Sequence, residues 1–127
     1  MKAVELLEKY PETAKVINEF YRSKMINSME TEDVPDEFKE MLKEQSFDNE
    51  YIATFVDASP RMLFDVFDDN EIYINVTAFP NSLFHYSIVG EIAEVGSTET
   101  FNTRLEAEKL VVEQAFEILN EKLCQTK

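Results

Sequence analysis

A chain of 127 residues, 44% hydrophobic and 12% aromatic, is apolar enough to bury its own core and too apolar for intrinsic disorder, even at a formal charge of −14. That charge argues against direct nucleic-acid binding, because phosphate is repelled by surface carboxylates. The single cysteine, Cys124, excludes a disulfide framework and a cysteine-based zinc site. No stretch approaches the ~20 apolar residues of a membrane span, and "MKAVELLEKYPET" lacks the apolar core of a secretory signal. One cytoplasmic domain covering 1–127 is expected, without membrane association.

In chain order, residues 2–9 read as a short helix that stops before Pro11, since a residue preceding proline is pushed out of the α region. Pro11 suits the first turn of a second helix, and Ala14, Ile17, Tyr21 and Met25 recur at helical spacing as far as about Met29. Pro35 opens a third helix with Phe38, Met41 and Leu42 as a narrow apolar stripe. Asp48 is placed to cap a fourth, clasped by Phe47 and Ile52 and ending near Asp57.

Ser59 and Pro60 start a short fifth helix, "PRMLFDVF", that buries Met62 or Leu63 with Val66 and Phe67. The period then changes: Ile72, Ile74, Val76 and Ala78 alternate with Tyr73, Asn75, Thr77 and Phe79, which is a strand. "PNS" turns the chain, and Phe84, Tyr86, Ile88 and Ile92 alternate with His85, Ser87, Val89 and Glu91 to complete a hairpin. A short third strand is expected around Thr98–Phe101. Thr103 and Glu106 stand at capping-box spacing before a long helix whose apolar face is Ala107, Val111, Val112, Ala115, Phe116, Ile118 and Leu119. The expected fold is α+β: N-terminal helices followed by an antiparallel two- or three-stranded sheet packed on a long C-terminal helix. The helical part covers 1–57 and the α-β-β-(β)-α part 58–127.

Three groups of residues invite a chemical reading. Asp65, Asp68, Asp69 and Glu71 suggest a hard-cation site, but counted from Asp65 a calcium loop would need a glycine where Asn70 stands and a glutamate where Val76 stands. A helix exit explains them better, with Asn70 taking the left-handed conformation, so no metal and no cofactor is expected. The hairpin brings Tyr73, Asn75, His85 and Ser87 to one face, a candidate surface for a small polar ligand; His85 is the only histidine and the natural base near neutral pH. A solvated antiparallel sheet face carries the same pattern. No phosphate loop or nucleophile elbow is present, and no catalytic residue is assigned.

The third group is an acidic belt. Residues 30–57 hold ten acids against two lysines, a net −8, while residues 1–29 are close to neutral. Glu32, Asp33, Asp36, Glu37, Glu40 and Glu44 form the candidate binding surface for a basic protein partner, with 33, 36, 37, 40 and 44 on one helical face.

The order of elements ending in "STETFNTRLEAEKLVVEQAFEIL" resembles the topology of the double-stranded RNA-binding domain, which implies a final helix opening on a basic, phosphate-gripping cluster. Here that opening reads Arg104, Glu106, Glu108 and Lys109, mixed in charge, so the resemblance implies shape rather than RNA binding. "SPRMLFDVFDDNEIYI" together with "FNTRLEAE…AFEIL" is similar to small uncharacterised proteins encoded by phages and prophages of gut bacteria. These observations lead to the expectation of a small, acidic, non-enzymatic interaction or regulatory protein, such as a phage accessory factor. The alternatives are a nucleic-acid-mimicking inhibitor of a basic partner and a small-ligand binder using the hairpin face.

Overall fold

The computed structural model describes residues 2–30, 35–44, 47–80, 83–90, 94–96 and 100–125. Helix α1 (Ala3–Lys9) ends at Tyr10, whose φ of −119° and ψ of 75° show the displacement that the following proline imposes. Pro11 opens α2 (Pro11–Glu30), as expected. The first N–H groups of α2 have an unexpected partner. Asn120 Oδ1, more than a hundred positions away, accepts from the backbone N–H of Glu12 at 3.0 Å and of Thr13 at 3.4 Å. These are helix-terminal donors that would otherwise lack an acceptor inside the helix.

Helix α3 (Asp36–Glu44) lies against α2. Helix α4 (Asn49–Ala58) begins where the sequence indicates: extended Asp48 accepts from Tyr51 N–H at 2.8 Å, Ile52 is fully buried, and Phe47 packs on the core. The fifth helix is a 3₁₀ turn, Pro60–Leu63, running into α5 (Phe64–Asp69). Of the two residues expected to compete for burial, Leu63 is inside and Met62 is 42% exposed.

The chain leaves α5 through Asn70 and Glu71 into β1 (Ile72–Ala78), which pairs antiparallel with β2 (Phe84–Gly90) in an unbroken register. Two expectations need correction here. Glu71, with φ 61°, takes the left-handed conformation, while Asn70 stays at φ −106° and spends its side-chain amide on the Val66 carbonyl at 2.8 Å. The amide thereby closes the last turn of α5, and the reversal passes to the next residue. Lys122 steadies that reversal by donating to the Asn70 carbonyl at 2.6 Å. The third strand, β3 (Glu94–Gly96), comes earlier than expected; Phe101 makes only an isolated bridge to Phe84. Glu91 and Ile92, and Thr98 of the expected strand, lie outside the described residues.

The sheet order is β1-β2-β3. Ile72, Ile88 and Tyr86 turn inward onto α6 (Arg104–Gln125), which also packs on α2 and the 3₁₀ turn, so α6 is the central element between sheet and helices. Thr103 Oγ1 caps it by accepting from Glu106 N–H at 3.1 Å. Every expected apolar position of α6 is buried, and so is Glu108, whose spacing from Val111, Val112 and Ala115 puts it on the same face although its side chain is charged. Phe116 sits at the centre, fully buried, with the rings of Tyr10 and Phe67 at 6.5 and 6.1 Å and its carbonyl accepting from Thr13 Oγ1 at 2.8 Å. No helix among the described residues is long and apolar enough to cross a membrane.

Candidate functional site

Two surfaces gather the residues that the sequence singles out, and they differ in how they are held. The first is α3. A clamp beyond its C-terminal end returns the chain to the body: Asn18 of α2 donates to the Phe47 carbonyl at 2.6 Å and accepts from Phe47 N–H at 3.2 Å. With α2 below and this clamp behind, α3 presents Asp36, Glu37 and Glu40 to solvent. Two residues of its apolar stripe are not buried, contrary to the usual expectation for an amphipathic helix: Phe38 is 43% and Met41 44% exposed, while the side chain of Leu42 lies outside the described residues. At 100° per residue Met41 and Phe38 follow directly on the angular sector of the acids, so carboxylates border the apolar pair. Glu32 and Asp33 lie outside the described residues; Glu44 closes α3, and its side chain is also outside them.

The second surface is the sheet face turned away from α6. Cross-strand pairing sets Asn75 opposite Ser87, Thr77 opposite His85, and Tyr73 opposite Val89. Tyr73, Asn75, His85 and Ser87 therefore do share a face, but it is not a purely polar one. Val89 is 45%, Tyr73 49% and Phe79 39% exposed. The His85 ring stacks on Phe79, centroids 4.5 Å apart and planes 11° from parallel, with Nδ1 buried and without a hydrogen-bond partner among the described residues. A stacked imidazole of this kind is built for packing on an aromatic neighbour. A hollow of about 350 Å³ lies at the other end of the hairpin, lined by Glu71, Tyr73, Val89 and Gly90 and not by His85, Asn75 or Ser87.

Asp65, Asp68 and Asp69 lie on α5, and Glu71 lies at its exit. Partial burial, then the negative charges of Asp65 and Asp69, raise the Asp68 carboxyl above its usual range. Glu71 Oε2 comes within 3.8 Å of Lys122 Nζ. Sequence reasoning also missed a cleft of about 380 Å³ where α1, α4 and α6 meet, with Leu6, Val56 and Val112 in its lining and Lys2, Asp57 and Lys109 among its charged residues. Contacts spanning this much sequence leave no local periodicity by which to find them.

At the start of α6, Arg104 Nη1 donates to the Val76 carbonyl at 3.3 Å, and its guanidinium lies 5.2 Å from the centre of the Phe84 ring. Arg104 is thus engaged with the sheet. No family model, no curated protein and no solved structure matches the chain.

Proposed function

We propose that this is a small acidic interaction protein, non-enzymatic and cytoplasmic, that docks through α3 onto a basic surface of a partner protein. The observation that carries the reading is the exposure of Phe38 and Met41 on a helix that also exposes Asp36, Glu37 and Glu40. Partly exposed apolar side chains supply binding energy, and the carboxylates beside them supply orientation and rate. The belt holds −8 of the −14 total, so a partner of opposite charge relieves self-repulsion when it binds. A phage accessory factor acting on a host or phage protein is the role in keeping with this surface.

The experiment is comparative capture from bacterial host lysate, using the wild type, a variant with Asp36, Glu37, Glu40 and Glu44 changed to Asn or Gln, and a Phe38→Ser, Met41→Ser variant. The reading expects a captured protein with a basic surface, an association rate that falls as salt is raised, and loss of capture in both variants. Capture of the same partners by the neutralised variant with unchanged salt dependence would discard it. Duplex DNA added as competitor separates simple docking from nucleic-acid mimicry, since only a mimic shares the partner's phosphate-binding groove. Direct binding of duplex RNA or DNA by the protein itself is expected to be undetectable in a gel shift at low salt.

A further inference from the structure

From Ile72 to Gly90 the chain contains no Asp, Glu, Lys or Arg, in a protein of which 30% is charged. This stretch is β1, β2 and the turn between them. Its backbone pattern leaves one edge open, and the phase of that edge can be worked out. Phe84 and Phe101 exchange two N–H···O bonds at 2.8 Å each, so the peptide groups of Phe84 point away from β1. Its β1 neighbour Ala78 is therefore in a non-hydrogen-bonded pair, and the peptide groups of Ala78, and of Val76, Ile74 and Ile72 at steps of two, point out of the sheet. The Phe79 N–H to Leu83 carbonyl bond of 2.7 Å has the same phase. So does Arg104, which finds the Val76 carbonyl on the outer side.

Open edges are ordinarily blunted by charge, proline or a bulge. Strand β1 has none of these: its sequence is IYINVTA and its register with β2 is unbroken. Among the described residues, a charged group from another element reaches the middle of this edge. Arg104 occupies the first turn of α6, where the helix dipole disfavours a cation, and it reaches the Val76 carbonyl and the Phe84 ring.

We propose that the open edge of β1 is a self-association site, at which a second copy of the chain adds its own β1 antiparallel, centred on Asn75, to make one continuous sheet. Charge selects this occupant: two copies at −14 each repel, and the Ile72–Gly90 region is where they approach without setting carboxylate against carboxylate. Side-chain pattern does the same. About a two-fold axis at Asn75, Ile74 of one copy stands opposite Val76 of the other, joining half-buried apolar residues on the α6 side, while Tyr73 stands opposite Thr77 on the outer side. The outward peptide groups of Ile74 and Val76 then bond reciprocally, and Arg104 swings off the Val76 carbonyl to admit them. One strand edge buries less than the ~1,200 Å² of a stable interface, so association falls in the micromolar range and above.

Sedimentation equilibrium across that range, at low and high salt, tests the proposal. The wild type is expected to dimerise reversibly, more tightly as salt screens the net charge, and Arg104→Ala to tighten it further. Asn75→Lys and Asn75→Glu, at an exposed position, each set like charges opposite each other and abolish the dimer, while an equal mixture of the two restores it. Melting curves confirm that each variant is folded. A wild type and Arg104→Ala that both remain monomeric at every concentration and salt would overturn the proposal. So would a dimer indifferent to Asn75→Lys, or one lost when the α3 acids are neutralised, because either result places the contact elsewhere.

Discussion

Helix α3 and the β1–β2 hairpin both expose large hydrophobic side chains, and one is acidic where the other is uncharged. On α3, Phe38 and Met41 stand beside Asp36, Glu37 and Glu40; on the hairpin, Tyr73, Phe79 and Val89 stand in a stretch with no charged residue at all. The comparison shows that apolar exposure alone does not specify a partner. Where carboxylates border it, charge favours surfaces of opposite sign. Where charge is missing and backbone groups are unpaired, the partner is another strand, and a like-charged copy can approach.

The largest effect is expected from the element that supports both regions. Phe116→Ala removes a fully buried ring that touches α5 and the α1–α2 junction, and its loss should cost about 3–5 kcal/mol in denaturant unfolding. A smaller cost would mean that the layers collapse into the space and that α2 and the hairpin are less firmly tied to α6 than their geometry indicates.

Two caps sharpen the comparison, because one serves each region. Asn120→Ala takes the acceptor from the start of α2, on which α3 rests, and Thr103→Ala takes it from the start of α6, beneath the hairpin. Each should cost about 1 kcal/mol. Hydrogen exchange should then rise first in α2 and α3 for Asn120→Ala, and first in the opening turn of α6 for Thr103→Ala. Equal loosening of both regions by either change would show that they open as one unit.

The smallest effect concerns the hairpin's entrance. The folded state raises the Asp68 carboxyl, chiefly by burial and further through Asp65 and Asp69, so it favours the protonated form. The associated stability is present below the unfolded value and is lost as pH rises through the folded one. Asp68→Asn is therefore expected to melt slightly above the wild type at neutral pH, with the difference vanishing below about pH 4. An unchanged difference across that range would show that the carboxylate acts by packing and not by charge.

Much of this architecture is legible in the residues themselves, for reasons that are local. Pro11 had to end one helix and open the next, Asp48 and Thr103 carry the short oxygen that a helix start requires, and the switch from helical to alternating period after Glu71 marks a strand whatever it pairs with. The apolar face of α6 is likewise written at its own spacing and is buried in full. What tertiary structure alone decided are contacts between distant parts. Asn120 caps α2, Asn18 clamps Phe47, Arg104 reaches the open edge of β1, and Glu71 turns left-handed because Asn70 spends its amide on the helix behind it. The position of β3 and the exposure of Phe38 and Met41 belong to the same class. A helix period records which residues share a face, but whether that face is covered depends on what the rest of the chain brings to it. For α3 that question is answered at its contact with α2, and for β1 at an edge whose backbone groups are the same in every sequence.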